Sequence, residues 1–276
     1  MNRRRFLKTL GLGALGAGVL GTGVAAKDTL GFVTSRHTVP TRGLTARLRV
    51  VQLTDLHYGA YVFEDWVRRW VNAANLERAD LIVITGDIVD HRVSAAQMDS
   101  LVAELSKLEA QLGVYAVLGN HDYWYRMRDD SVRGLQTRLE RNGIRVLMND
   151  AERPRDDLYL AGIDDLWNGQ PDLERSLSGM TPSTASVLLS HNPDILAAVP
   201  SSVGLTLSGH THGGQVRIPG MRTLFNVSNY GERFQKGWVT GFAGARGYVS
   251  RGLGVGGLPV RMFCPAELAV FDLEPA

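Results

Sequence analysis

The chain has 276 residues, 44% of them hydrophobic, which is enough for a substantial core and argues against a disordered protein. Its formal net charge is +2, but Arg3, Arg4, Arg5 and Lys8 supply four of the 30 basic residues, so the rest of the chain, with 26 basic and 28 acidic residues, is near −2. A general basic surface is therefore excluded, no specific nucleic-acid partner is expected, and the single cysteine, Cys264, excludes an intramolecular disulfide framework.

Residues 1–26 have the features of an export signal. A basic head is followed by an uncharged stretch rich in glycine, alanine and leucine. Within it, Asn2 to Lys8 matches the twin-arginine pattern, with asparagine where serine or threonine is usual. We therefore expect the twin-arginine translocase as a partner, and an exported protein that is periplasmic or lies on the outer face of the cytoplasmic membrane. Cleavage is expected near Ala25 or Ala26, and an uncleaved segment would act as an anchor; an ordinary secretory signal is the alternative.

Residues 27–45 are interpreted as a connecting arm, because Pro40 and Gly43 interrupt any regular pattern. Residues 46–276 then form one folded domain. In that domain short apolar runs predict eight strands. They are Val50–Leu53, Leu81–Thr85, Val114–Leu118, Arg145–Met148, Leu158–Ala161, Val187–Ser190, Leu205–Ser208 and Leu268–Leu273.

Two helices lie between the early strands. Residues 63–78 and 94–111 carry apolar side chains at three- and four-residue spacing, as an amphipathic helix requires. Strands that alternate with helices predict an α/β domain with a largely parallel sheet, whose ligand site lies where strands end and loops begin.

Five polar clusters follow these strand candidates, and they contain five of the seven histidines of the chain. They are Asp55-Leu56-His57, Gly86-Asp87-Ile88-Val89-Asp90, Gly119-Asn120-His121-Asp122, Ser190-His191-Asn192 and Gly209-His210-Thr211-His212-Gly213-Gly214. Carboxylate and amide oxygens with neutral imidazoles are the donors that hard to borderline divalent metals prefer, and thiolates are absent from the clusters. His37 and His91 lie outside the clusters and are expected on the surface.

In this order the clusters resemble the signature of the calcineurin-like metallophosphoesterases: Asp-x-His, Gly-Asp-x-x-Asp, Gly-Asn-His-Asp, His and Gly-His-x-His. The resemblance extends from about Val50 to the end of the chain, and it implies a sandwich of two mixed β-sheets flanked by helices. The later stretches Ser250–Gly254 and Leu258–Arg261 resemble a subgroup of signal-bearing or membrane-attached phosphodiesterases. Some members of that subgroup are related to UDP-2,3-diacylglucosamine pyrophosphatases of lipid A biosynthesis.

The resemblance implies two divalent metal ions as cofactors. One is held by Asp55, His57, Asp87 and His212, and the other by Asp87, Asn120, His191 and His210, so that Asp87 bridges the pair. Manganese is the first expectation, while iron, zinc, cobalt and magnesium stay open, because such donors do not select one of them.

His121 is expected to act as the acid for the leaving oxygen, since it follows a metal-binding asparagine and faces the substrate instead. Asp122 is expected to orient or charge-stabilise its ring. A role for His121 as a phosphate-binding cation alone is the alternative. Asp90 is expected either to support the site through hydrogen bonds or to cap a loop.

These residues predict a hydrolase that cleaves phosphodiester or pyrophosphate bonds by attack of a metal-bridging hydroxide. Its substrate is expected to be a phosphoester, and a lipid-linked one such as UDP-2,3-diacylglucosamine, at a membrane surface, is one form of that expectation. Two alternatives stay open: a phosphomonoesterase or nucleotidase of the same mechanism, and an envelope-binding protein with little catalysis.

Aromatic and basic residues beside the first and third clusters are candidates for binding the rest of the substrate. They suit an acyl chain, a sugar nucleotide or a base, and ordinary packing with a solvated basic face is the alternative. These residues are Tyr58, Tyr61, Tyr123, Trp124, Tyr125, Arg126, Arg128 and Arg133.

Overall fold

The computed structural model describes residues 23–90, 93–124, 132–221, 223 and 225–276. Most of the predicted signal, residues 1–22, lies outside this part of the chain, as do His91, Tyr125, Arg126 and Arg128. Within the described part, no helix has both the length and the apolar character needed to cross a membrane.

Two six-stranded sheets form the fold. The strands of the first sheet are β1 (Phe32–Thr41), β2 (Leu48–Leu53), β3 (Leu81–Thr85), β4 (Val114–Val117), β5 (Ile144–Val146) and β12 (Ala266–Pro275). Their order is β1-β12-β2-β3-β4-β5; β2 to β5 are parallel, and β12 is antiparallel to β2.

The second sheet contains β6 (Asp150–Arg155), β7 (Leu158–Gly162), β8 (Ala185–Leu189), β9 (Leu205–Ser208), β10 (Gly237–Thr240) and β11 (Arg246–Val249). Its order is β10-β11-β9-β8-β7-β6, with antiparallel strands only at the two edges. The predicted sandwich of two mixed sheets is confirmed.

The central strands β2, β3 and β4 of the first sheet are buried on both faces, which explains their continuous apolar runs. Along β2, Leu48 and Val50 point into the core between the sheets, whereas Val51 and Leu53 point into the core beneath the helices. The α-helices packed around the sheets are Glu64–Leu76, Ala95–Leu105, Asn120–Trp124, Val132–Arg141 and Leu173–Leu177.

The second predicted helix starts where expected but ends at Leu105 rather than Gln111. At its start the Ser94 side chain accepts a hydrogen bond from the backbone of Gln97, and the Gln97 side chain accepts one from the backbone of Ser94. Beyond its end the Lys107 carbonyl accepts a hydrogen bond from the Asn75 side chain, so the chain leaves the helical path and turns toward β4.

The prediction of a connecting arm over residues 27–45 is wrong. Residues 23–30 are helical, and β1 pairs with β12 over ten residues, from Phe32↔Ala266 to Thr41↔Pro275. Pro40 is tolerated because β1 is an edge strand and its proline needs no second neighbour. The folded unit therefore begins well before Arg47.

Other expectations also change. Strands β6, β10 and β11 had no apolar run to predict them, since β6 is mostly polar and β10 and β11 each carry only two apolar side chains. His37 is half-buried rather than a surface residue, because its ring packs 4.7 Å from the Tyr248 ring and 5.4 Å from the Phe271 ring.

Candidate metal centre

All seven predicted metal ligands come together at the carboxyl ends of the parallel strands. Four follow strands of the first sheet and three follow strands of the second, so the site lies where both sheets end. These ligands are Asp55 and His57 after β2, Asp87 after β3, Asn120 after β4, His191 after β8, and His210 and His212 after β9.

The backbone at this site is strained. Nine described non-glycine residues have positive φ, and five of them are predicted ligands: Asp55 (53°), His57 (48°), Asp87 (49°), His210 (72°) and His212 (51°). Left-handed backbone costs free energy in non-glycine residues and persists only where the surroundings enforce it. Hydrogen bonds between neighbouring loops do so here, since the amides of Asp55 and His57 donate to the carbonyls of Gly86 and Asp87, each at 3.0 Å.

One cluster of donor atoms is formed by Asp55, His57 and His212, whose candidate ligand atoms lie within 4.8 Å of one another. The Nε2 atoms of His57 and His212 are 2.9 Å apart, and His212 Nε2 lies 3.5 Å from Asp55 Oδ1. Asp87 Oδ2 is 3.5 Å from His57 Nε2.

A second cluster is formed by Asp87, His191 and His210. His191 Nε2 lies 3.2 Å from Asp87 Oδ2, 3.1 Å from His210 Nδ1 and 3.2 Å from Asn120 Oδ1. The same oxygen of Asp87 therefore approaches a histidine of each cluster, which is the position that a bridging carboxylate needs.

Three of the four predicted histidine ligands are neutral; burial by itself lowers the pKa of the fourth, His191, but the charge of Asp87 raises it to about 10. Burial lowers the pKa of His57 to about 4 and that of His210 to about 3, and it holds the pKa of His212 well below its ordinary range. These rings are thus neutral, and the nitrogens that face the clusters, namely His57 Nε2, His212 Nε2 and His210 Nδ1, offer lone pairs. Facing neutral imidazoles beside two buried carboxylates fit a pair of divalent cations, which would satisfy the lone pairs and offset the negative charge.

His121 is held by Asp90. Its Nδ1 atom lies 3.1 Å from Asp90 Oδ1, and its backbone amide donates to Asp87 Oδ1 at 2.8 Å. Burial by itself lowers the pKa of His121, but the hydrogen bond to Asp90 and the charge of Asp87 raise it above the ordinary value. Asp90 thus supports the site through a hydrogen bond, the first of the two roles expected for it.

Asp122 does not orient the His121 ring through a hydrogen bond, but its charge is among those that raise the pKa of that ring, which is the second of the two roles expected for it. The carboxylate of Asp122 is fully buried and accepts hydrogen bonds from three backbone amides, those of Ile88 (2.9 Å), Val89 (3.0 Å) and Gly119 (2.8 Å). It therefore joins the loop after β3 to the loop after β4. Because its side chain points into the loops, the carboxylate that reaches the ring comes from Asp90 instead.

The segment 250–264 covers the first cluster closely. Gly252 has a φ of +70°, and a Cβ atom there would lie 2.7 Å from the Cβ of Asp55, so only glycine fits. A Cβ atom at Gly256 would lie 3.0 Å from His212 Nε2 and 3.2 Å from His57 Nε2. The fully buried guanidinium of Arg261 donates to the carbonyls of Arg251 and Gly254 and lies 3.2 Å from His212 Nδ1.

A pocket of about 300 Å³ opens onto the two clusters. His121 and Trp124 line it, as expected for substrate-facing residues, whereas Tyr58, Tyr61, Tyr123 and Arg133 do not. Trp167 lines it too and was not foreseen, although Asp164 and Asp165 follow a predicted strand just as the five clusters do. The sequence predicted no role for Gly256 or Arg261, because their contacts depend on packing against distant loops.

The chain is similar to known proteins over most of its length. Residues 48–214 match the family model described as calcineurin-like phosphoesterase. The chain is 33% identical to the uncharacterized metallophosphoesterase YkuE of Bacillus subtilis, over 99% of this chain and 98% of that protein. It is 31% identical to a transmembrane protein with metallophosphoesterase domain from Bos taurus, over 83% of this chain and 53% of that protein. A crystal structure of a dimetal phosphatase from Danio rerio aligns with a TM-score of 0.48 at 14% identity, over 75% of this chain and 88% of the other.

Proposed function

The chain belongs to the calcineurin-like phosphoesterase family and is a metal-dependent phosphoester hydrolase; on that premise we propose that it cleaves phosphodiester or pyrophosphate bonds at a dimetal centre. We assign one metal ion to Asp55, His57, Asp87 and His212, and the other to Asp87, Asn120, His191 and His210. The observation that carries the proposal is the approach of one Asp87 oxygen to histidines of both clusters.

Each group then has a chemical task. Two bound divalent cations would polarise the phosphoryl oxygens and lower the pKa of a water molecule. Hydrolysis forms one bond from phosphorus to the water oxygen and breaks the bond to the leaving oxygen. Because water is the attacking group, no side-chain nucleophile is needed. His121, kept protonated beside Asp90, passes a proton to the leaving oxygen.

Localisation and a lipid-linked substrate are further parts of the proposal. The twin-arginine pattern of residues 2–8 supports export as a folded protein to the periplasm or to the outer face of the cytoplasmic membrane, with the translocase as partner. Residues 250–254 and 258–261 resemble a subgroup of signal-bearing or membrane-attached phosphodiesterases, some of them related to UDP-2,3-diacylglucosamine pyrophosphatases, and this resemblance supports a lipid-linked pyrophosphate such as UDP-2,3-diacylglucosamine.

The direct test compares bis-p-nitrophenyl phosphate with p-nitrophenyl phosphate, using protein loaded with manganese. We expect turnover of the diester that is abolished in Asp87→Ala, together with two metal ions per chain in the wild type and a loss of both in the variant. Asp65→Ala is the matched control, because Asp65 is an exposed carboxylate on the helix Glu64–Leu76.

Two results would change the proposal. Faster turnover of the monoester would favour a phosphomonoesterase or nucleotidase. Equal rates for the wild type and Asp87→Ala would assign the turnover to a contaminant and leave a binding role.

A further inference from the structure

We propose that Trp124 and Trp167 determine substrate specificity by holding an uncharged apolar ester group beside the scissile phosphate. The inference rests on the proposed phosphodiesterase function and names the class of group that the same pocket selects. Each side chain meets the pocket and leaves close to half of its surface exposed, 42% for Trp124 and 44% for Trp167.

Part of the pocket wall is apolar. Besides the two tryptophans it contains Phe225, Val227 and Leu258, all of them more than a third exposed. Among the described residues, no lysine or arginine lines the pocket. This part of the wall therefore offers favourable burial to an apolar group.

Both indole rings pack on histidines of the reaction centre. The Trp124 ring centroid lies 4.6 Å from that of His121, and the edge of Trp167 meets His210 with centroids 4.4 Å apart. A group that contacts either indole is therefore within a few ångströms of a phosphate bound between His121 and the metal ion assigned to His210.

The Trp124 indole and the backbone of Trp167 are held in place by hydrogen bonds within the protein. Trp124 Nε1 donates to the Oδ1 atom of Asn168, the neighbour of Trp167, at 3.0 Å. Asp165 accepts hydrogen bonds from the amides of Trp167 (3.0 Å) and Asn168 (2.7 Å). Fixed aromatic rings bind an apolar group at a small cost in side-chain entropy.

The loop of Trp167 is also tied to the helix of His121. The Tyr123 hydroxyl donates to Asp164, and Asp164 Oδ2 accepts the amide of Gln170 at 2.8 Å. The loop after β7 and the helix Asn120–Trp124 are thus joined by hydrogen bonds, which place the two tryptophans at the same pocket.

A purely structural role predicts a different result from a role in specificity. If the indoles only support His121 and His210, their removal slows all substrates by the same factor. If they bind an ester group, their removal changes the ratio of rates between apolar and small substrates.

The test uses diesters with a constant p-nitrophenolate leaving group and a variable second group: methyl, hexyl or phenyl p-nitrophenyl phosphate. For the wild type we expect kcat/KM for the hexyl or phenyl ester to exceed that for the methyl ester about tenfold or more, since each buried methylene contributes about fourfold. In Trp124→Ala and Trp167→Ala the ratio should fall below about threefold, whatever the absolute rate.

Trp238→Ala is the matched control. Trp238 is 42% exposed, as Trp124 is, but its ring packs on His37 and Tyr248 and does not line the pocket. The ratio of kcat/KM between the apolar and the methyl ester in Trp238→Ala should equal that of the wild type. A preference for the hexyl over the phenyl ester would identify an alkyl chain as the bound group. The reverse preference would identify a flat ring, and either result supports the proposal.

Binding of methylphosphonate and hexylphosphonate to the metal-loaded protein, measured by calorimetry, separates this inference from the proposed function. Absent turnover of every ester together with tighter hexylphosphonate binding would overturn the enzyme reaction alone. The role of the tryptophans would be overturned if the wild type preferred neither the apolar ester nor the apolar phosphonate. It would also be overturned if the tryptophan variants kept the wild-type ratio of kcat/KM between the apolar and the methyl ester.

Discussion

The imidazole of His121 is tied to Asp90, whose Oδ1 atom lies 3.1 Å from His121 Nδ1. The pair is part-buried at the edge of the pocket, beside the ring of His57. A carboxylate in this position orients the ring and favours its protonated form, which suits a proton donor.

The role of His121 is tested by the basicity of the leaving group. In His121→Ala we expect the turnover of a phenyl diester to fall at least about tenfold more than that of a p-nitrophenyl diester, because p-nitrophenolate leaves without needing a proton. Asp90→Asn should change the same ratio in the same direction, and Asp65→Asn should leave it unchanged. An equal loss for both leaving groups would show that His121 only binds the phosphate.

Gly252 is expected to be essential for the first metal. Gly252→Ala would force a Cβ atom against Asp55 and should lower the metal content from two ions per chain to one or none, measured by elemental analysis. Gly143→Ala is the control, because Gly143 has a similar φ of +84° but open space around it. That variant should lose about 1 kcal/mol of stability and keep both metals. Full metal content in Gly252→Ala would contradict the close packing.

Asp122 is expected to contribute to stability more than to chemistry. Asp122→Ala leaves three buried backbone amides without an acceptor, and each such group costs about 1–3 kcal/mol. We expect the free energy of unfolding of the metal-free protein to fall by about 3 kcal/mol or more in denaturant titrations. A variant with wild-type stability and a selective loss of turnover would restore the catalytic role expected from the sequence.

The helix over residues 23–30 is expected to stabilise the segment that covers the metal centre. Thr29 Oγ1 accepts the amide of Arg261 at 2.8 Å, and Asp28 Oδ2 accepts that of Cys264 at 3.2 Å. Thr29→Val combined with Asp28→Ala should destabilise the protein by about 2 kcal/mol and weaken metal binding, measured by calorimetry. Thr38→Val, on the exposed side of β1, is the control, and equal behaviour of both variants would count against the coupling.

Glu267 gives a prediction for pH. Burial by itself raises its pKa, but the hydrogen bond and charge of Arg251 keep the pKa below the ordinary value of 4.5. The stability from the charged form is therefore complete above about pH 4.5 and is lost as the pH falls through the lower pKa of the folded state. Wild type should exceed Glu267→Gln by about 2 kcal/mol at pH 7, and the difference should shrink below pH 4.5. A difference that stays constant down to pH 3 would contradict this account.

Much of the fold could be predicted from local patterns. Strands β3 and β9 match their predicted bounds, because each is a short apolar run between polar loops. Strand β1 could not be predicted, since its stability comes from pairing with β12 more than 230 residues away along the chain. The polar strand β6 likewise exists only through its neighbour β7.

The sequence by itself determined the donor chemistry of the site. Carboxylates, an asparagine and histidines directly after buried strands must gather where parallel strands end, because that end is common to the whole sheet. Residue type and position relative to a strand are local properties, so Asp55, Asp87 and His210 could be recognised from a single chain.

Only the tertiary structure decided which side chain serves which neighbour. Asp90 and Asp122 are both acidic and lie equally close to the motifs, yet one meets the His121 ring and the other meets backbone amides. Likewise, Trp167 and Arg261 reach His210 and His212 only because separate loops cross above the strand ends. Such contacts depend on the paths of whole loops through space, which sequence spacing does not encode.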